Sequence, residues 1–408
     1  MSTMTGAHTQ VRRTHEVRVL DALRQHGAMS RSELARRVGL SRTTLSDITA
    51  DLLLRGAIVV ADTDAAVRSG SGRPAERLAV DPASGQFLGV DFGHRRVTVA
   101  IADASHNILA EGACRYESDA NWERRLAAAY GLIDDLATRN GVHLSDLQAI
   151  GIGVPGPYTY ACEGAPTVTW KKQLAPDGVD RAFEQRFGAP VMVDNNTRLA
   201  ALAEAIAGPS AADDLIYVRL SDGVGGGLIV AGRLVMGTRG YAGELGHVNV
   251  DPHGARCQCG KRGCLETVAS VPAILGTCRA NGLDVETLDD LAEAVRISDP
   301  VAERVLRDAG GALGRVLGGA AMTLNPDEVV IGGEIVHIAP VLVEQAASTL
   351  RYELSPIPTD QTQTVRAALL RDNDGAVGAI ASLFHQSPLA AAYSAVAPSG
   401  RRHPHEGV

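Results

Sequence analysis

In the first eighty residues apolar positions recur at helical spacing and then give way to short β-branched runs. Val17, Leu20 and Leu23, with Val19 beside them, predict a helix within 11–26 that ends at Gly27. Ser30-Arg31-Ser32-Glu33 has the Ser-x-x-Glu form of a capping box. It opens a short second helix with Leu34, Ala35 and Val38 as apolar positions and Gly39 as C-cap. Ser41 caps a third helix, in which Leu45, Ile48 and Leu52 line one face, and Gly56 stops it after Arg55. Two strands are expected next, Ile58 to Val60 and Arg77 to Val80, around a basic, glycine-rich loop from Arg68 to Pro74.

After the break at Asp81-Pro-Ala-Ser-Gly85 strands and helices alternate. Phe87 to Gly93 and Arg96 to Asp103 predict two strands joined by a tight turn. Trp122 to Arg139 has helical pattern, and Ala149 to Val154 is a buried strand running into Pro155-Gly156-Pro157. Val191 to Val193 is a strand, Thr197 to Ala207 a helix, and Asp214 to Val230 a second strand-turn-strand with a Gly-rich turn over Asp222 to Gly227. Asn325 to Gly333 supplies another strand and Ala376 to Phe384 a terminal helix. Such alternation predicts an α/β body. The expected organisation is a flexible N-terminus (1–10), a head (11–80), a body (86–386) and a disordered tail (387–408).

The turn Gly39-Leu40-Ser41 has the length of a helix-turn-helix, which would present the N-terminal end of the third helix to a DNA major groove. Arg42, Thr43, Thr44 and Ser46 are the candidate DNA contacts there. Arg73 at the tip of the basic loop is placed for a phosphate or the minor groove. A plain three-helix bundle is the alternative, but the two strands and basic loop that follow favour a winged helix-turn-helix. Charge changes the picture further. Residues 1–80 hold twelve Arg and no Lys against eight acids (+4), which leaves 27 basic and 39 acidic residues (−12) for the rest of a chain whose net charge is −8. A basic head on an acidic body implies that the head alone meets nucleic acid.

At 408 residues, 45% hydrophobic and 21% charged, the chain is long enough for two or three domains. The N-terminus lacks the apolar segment of a signal peptide, and no uninterrupted apolar run reaches membrane-spanning length, so a cytoplasmic protein with no membrane partner is expected. Six cysteines are too few for a disulfide framework. Cys114, Cys162 and Cys278 read as ordinary buried thiols, whereas Cys257, Cys259 and Cys264 are clustered. With His247 as the nearest upstream nitrogen ligand they form a Cys₃His set, the composition of a closed, structural zinc site. Glu244 and Glu266 bracket that cluster and remain free to accept hydrogen bonds from a polyhydroxylated ligand.

Taken in order, Asp91-x-Gly93, Gly153-Val-Pro-Gly156, Asp194-Asn195, Gly225-Gly-Gly227, Glu244-x-Gly-His247, Cys257-x-Cys-Gly-x-x-Gly-Cys264-Leu-Glu266 and Ile331-Gly-Gly333 resemble the ROK family. These are sugar kinases and transcriptional regulators with an actin-like ATPase fold of two lobes, often preceded by a winged helix in the regulators. The resemblance runs to about Gln386. It implies that Glu244, His247 and Glu266 contact a sugar and that His247 ligates zinc through its other ring nitrogen.

Three departures from the family kinases concern phosphoryl transfer. The kinases carry Asn-Asp where this chain has Asn195-Asn196, and an amide cannot supply the general-base contribution, on the order of 10²–10⁴-fold, although it can still hydrogen-bond a sugar hydroxyl. Asn196 would also serve as a helix cap. His94-Arg95-Arg96 stands where Gly-Thr-Lys is typical, and Ser221-Asp222-Gly223 where Gly-Thr-Gly is expected. The expectation is a sugar-responsive transcriptional regulator, a repressor, that binds an operator as a homodimer or tetramer and senses a sugar or sugar phosphate at Asn195, Asn196, Glu244, His247 and Glu266 without catalysis. The alternatives are an active ATP-dependent sugar kinase with a DNA-binding head and a DNA-binding protein that has also lost sugar sensing.

Overall fold

A computed structural model of the chain describes residues 12–385 except 13, 14, 17, 25, 64–75, 118, 157–177, 208–211, 356–363 and 371–373. The expected flexible N-terminus, the tail, Cys162, and Arg73 with its basic loop lie outside the described residues.

Helix α1 runs through 18–24 in its continuous described part. Helix α2 (Arg31–Val38) opens on the expected capping box: Ser30 Oγ accepts from Glu33 N, and the Glu33 carboxylate accepts from Ser30 N at 2.9 Å. It ends at Gly39, whose left-handed φ of 65° suits glycine. In α3 (Arg42–Leu54), Ser41 Oγ accepts from Thr44 N at 3.1 Å. Strands β2 (Ile58–Thr63) and β3 (Glu76–Val80) form the antiparallel pair expected of a wing. A two-residue strand, β1 (Met29–Ser30), adds to the other edge of β3. Pattern reading misses β1 because two residues directly before a cap have no period of their own.

The body contains two five-stranded sheets of matching topology. The first comprises β4 (Gln86–Phe92), β5 (Arg96–Asp103), β6 (Ile108–Arg115), β7 (Leu147–Val154) and β8 (Val191–Asn195), in the order β6-β5-β4-β7-β8. The second comprises β9 (Leu215–Leu220), β10 (Val224–Val230), β11 (Arg233–Leu234), β12 (Glu328–Gly332) and β13 (Thr364–Ala367), in the order β11-β10-β9-β12-β13. In each, three antiparallel strands continue into parallel ones. The central strands are buried on both faces, which is why β7 from Ala149 and β12 from Val329 read as apolar runs.

The body helices are α4 (Trp122–Asn140), α5 (Val179–Phe187), α6 (Asn196–Ala207), α7 (Glu266–Ala269), α8 (Val271–Ala280), α9 (Leu288–Arg296), α10 (Pro300–Leu324), α11 (Ile335–Ile338), α12 (Pro340–Leu354) and α13 (Asp374–His385). α4 and α5 cover the first sheet around Ile133 and Phe183, while α8, α10 and α12 cover the second around Leu313 and Leu342. α10 is absent from the sequence expectations because glycines interrupt it. Those glycines are packing sites: a Cβ on Gly314 would lie 2.6 Å from the Ala346 carbonyl oxygen of α12. α6 and α13 pack against each other between the two sheets.

The head is not tethered loosely. One apolar core runs from Leu20, Leu45 and Ile58 through Phe87 and Ala149 to Ile380 and Phe384 on α13. Among the described residues no helix is long and apolar enough to cross a membrane.

Candidate ligand cleft and metal node

A cleft of 610 Å³ opens between the lobes, lined from the first by Asp91, Gly93 to Arg96 and Asn196, and from the second by Arg219, Ser221 to Gly226, Glu244, His247 and Glu266. Turns and glycines bring its second wall together. The run Gly225 to Gly227 is not the expected loop. It lies within β10, and the hairpin turn is the shorter Ser221-Asp222-Gly223. The physical reason is close approach: a Cβ on Gly226 would lie 2.5 Å from the Gly243 carbonyl oxygen, and one on Gly227 would lie 2.4 Å from Ala201 Cβ of α6. The Glu244 segment and α6 therefore press on opposite faces of a strand that only glycine can form here.

His247, Cys257, Cys259 and Cys264 place one ligand atom each within 4.8 Å of one another, a set that can hold a metal ion. A tight turn makes this possible despite the Cys-x-Cys spacing: Cys257 N donates to Lys261 O at 2.8 Å and Gly260 N to Cys257 O at 3.0 Å. Cys257 and Cys264 are buried, and His247 and Cys259 half-buried. His247 turns Nδ1 toward Cys257 Sγ (3.6 Å), while Nε2 lies 4.0 Å from Glu244 Oε2. The imidazole thus has one nitrogen for a metal and one toward the cleft. Of the remaining thiols, Cys278 is buried but Cys114 is only half-buried, since it lies on the sheet's edge strand β6.

Burial pushes the Glu244 carboxyl up to about 6, with Arg198 opposing and Glu266 reinforcing the shift. Glu266 accepts from Gln258 Nε2 at 2.7 Å and from Val224 N at 3.3 Å, so one of its oxygens touches the second hairpin. Asn195 and Asn196 divide the work differently from expectation. Asn195 is the cap of α6: its Oδ1 accepts from Thr197 N (2.9 Å) and Arg198 N (3.2 Å), and its Nδ2 donates to Gly156 O. Asn196 is therefore not the cap but the first helical residue; its Nδ2 donates to Phe92 O at 3.2 Å.

Two loops of the cleft face each other with opposite charges. Arg95 Nε lies 3.3 Å from Asp222 Oδ1, and Arg96 Nη1 lies 2.7 Å from Glu334 Oε1. Deeper, Arg219 of β9 sits between Asp91 of β4 (3.5 Å) and Asp374 of α13 (3.4 Å), and Tyr217 Oη donates to Asp374 Oδ2 at 2.7 Å. Burial pushes the Asp374 carboxyl up, against the pull of Arg219. Burial lowers the Arg219 pKa, but Asp374 and Asp91 outweigh it and hold the guanidinium charged. Arg219, Asp374 and Glu334 had no sequence signal, because their partners lie far away in the chain.

In the head, Arg42, Thr43 and Ser46 are exposed on one face of α3, where a groove-reading helix needs them. Thr44 is half-buried, with its hydroxyl 2.8 Å from Ser41 Oγ in the cap, which ties it to the helix end.

Residues 87–387 match the ROK family, and residues 12–59 match the winged helix-turn-helix DNA-binding family. The chain belongs to the ROK family. The N-acetylglucosamine repressor of Escherichia coli O6:H1 is 30% identical over 386 residues, covering 91% of this chain and 92% of that protein. The crystal structure of a ROK family transcriptional regulator, a homolog of the E. coli Mlc protein, aligns with TM-score 0.76 at 26% identity over 94% of this chain and 99% of that one. The ROK glucokinase of Streptomyces griseus, solved with glucose and AMPPNP, aligns with TM-score 0.62 at 27% identity over 73% and 98%. The architecture is thus a winged helix-turn-helix head on a ROK sugar-kinase-like body.

Proposed function

We propose that this ROK protein is a sequence-specific DNA-binding repressor of carbohydrate metabolism whose body binds a sugar or sugar phosphate without phosphorylating it. One observation carries the reading: the cleft keeps a carboxylate-histidine wall on a metal node, while an amide stands at Asn196 and the altered phosphate loops are engaged with each other through Arg95 and Asp222. The repressor relative and the regulator structure, each aligned over more than nine-tenths of this chain, support the same assignment.

Glu244, His247 and Glu266 accept or donate hydrogen bonds to the sugar hydroxyls, and Asn196 contributes an amide beside them. Asn195 acts on the sugar through the position of α6. The ion at His247, Cys257, Cys259 and Cys264 is zinc, the metal that three thiolates and an imidazole favour, and it would hold this wall rigid. Arg42, Thr43, Thr44 and Ser46 form the base-reading end of α3, with Arg73 on the wing. A symmetric homodimer or tetramer would set two heads on half-sites about 34 Å, or a multiple of it, apart. The units are the head (11–80) and the body (86–386), in the cytoplasm, where DNA and reduced thiols coexist.

The test is DNA retardation on fragments upstream of sugar-utilisation genes, with and without glucose, N-acetylglucosamine, xylose and their phosphates, alongside a coupled ATP-turnover assay. A sugar-dependent change in DNA affinity without turnover is expected. Sugar-dependent ATP turnover that Asn196→Ala abolishes would show a kinase instead.

A further inference from the structure

The geometry points to α13 as the rod that couples the ligand cleft to the DNA-binding head, and this rests on the reading of the cleft as an effector site. Its N-terminal residue, Asp374, is 1% exposed and held behind the cleft wall by Arg219, which lines the cleft, and by Tyr217. About 15 Å away along the helix, ten residues at 1.5 Å each, Phe384 meets the head. The Arg24 guanidinium of α1 lies 4.1 Å above the centre of the Phe384 ring and donates through Nε to Ala104 O at 3.2 Å. Phe87 and His106 close round the same ring at 4.6 and 4.2 Å.

Between its ends the helix has no slack. A Cβ on Gly89 of β4 would lie 2.0 Å from Ala376 O, one on Gly151 of β7 2.2 Å from Ala379 O, and one on Gly378 1.8 Å from Leu199 O of α6. Backbone meets backbone at all three places, so α13 cannot slide over its seats as it could over long side chains. α6 is also the helix that begins with Asn196. A shift of the cleft at Asn196, Asp91 or Arg219 therefore moves α13 as a unit, and its far end carries Arg24 and with it α1. The device needs a bistable cleft and a rigid connection, and α13 supplies the connection.

Hydrogen exchange on the full-length, zinc-loaded protein without sugar tests this directly. Sites this far apart ordinarily behave independently. Asp374→Asn is expected to raise exchange in peptide 18–24 about threefold or more, at the lower end of what coupled sites show. Arg24→Gln is expected to do the same in peptide 215–224, which keeps the test open if Asp374→Asn fails to fold. Arg95→Ala changes the cleft without touching α13 and is expected to leave 18–24 alone, and peptide 288–296 is expected to stay constant throughout. An unchanged far peptide, an equal response to Arg95→Ala, or a rise at 288–296 of the same size overturns the proposal. None of these readouts needs a sugar. Silence toward glucose and N-acetylglucosamine in calorimetry would count against the effector reading alone.

Discussion

Arg219→Met removes the guanidinium that faces both Asp91 and Asp374 across the lobes, at 3.5 and 3.4 Å. At those distances and an effective dielectric near 20, each pair contributes about 5 kcal/mol of attraction. Desolvation of three buried ions, several kcal/mol apiece, offsets most of that, so the intact cluster adds little net stability. Removing its centre is different, because two buried carboxylates are left together. Asp374, already pushed up by burial, then takes a proton. Holding a carboxyl protonated at pH 7, about three pH units above its ordinary value, costs about 4 kcal/mol, so the expected loss is about 3–5 kcal/mol. The sign with pH follows from proton uptake. The variant's folded state binds a proton that its unfolded state lacks, so its deficit relative to the native protein shrinks by about 1.4 kcal/mol per pH unit as pH falls below neutrality. Urea unfolding followed by circular dichroism at pH 7 and 5.5, on the zinc-loaded protein, measures both. A companion with Asp91→Asn, Arg219→Met and Asp374→Asn together is expected to lose far less. A loss below about 1 kcal/mol at pH 7, or a deficit that does not change with pH, would refute the reasoning.

Cys259→Ser is expected to lower the bound metal well below one per chain and to abolish any sugar response, while DNA retardation by the head persists; sugar response in metal-free protein would contradict the role given to the node. Arg42→Ala is expected to weaken DNA binding, with a salt-dependence slope smaller by about 0.9 if the contact is to a phosphate, or relaxed sequence preference at one position if it is to guanine. Gly378→Ala would place a Cβ 1.8 Å from Leu199 O, so thermal unfolding should register about 3 kcal/mol of destabilisation. Ser30→Ala removes the α2 cap and is expected to cost about 1 kcal/mol, read as a lower urea midpoint.

Much of this protein is legible locally. The capping box at Ser30, the Gly39 stop, the strands ending at Phe92 and Gly332, and the metal-ligand set are all written within short windows, because caps, strand periodicity and clustered ligands depend on near neighbours. Glycine defeats the same reasoning. The run Gly225 to Gly227 reads as a loop and is a strand, and the glycines of α10 hide a helix of 25 residues, since in both places glycine answers to a backbone packed from elsewhere in the chain.

The sequence by itself therefore determined most of the elements, the helix-turn-helix of the head and the clustered His and Cys set. Only the tertiary structure decided that Asn195 caps α6, that Arg95 meets Asp222, and that Arg219 joins Asp91 to Asp374. It alone decided, too, that Arg24 rests on Phe384, 360 residues away. Charge and ring contacts of that kind have no period and no fixed spacing. They exist only once two sheets and two crossing helices have brought distant residues to the same few ångströms.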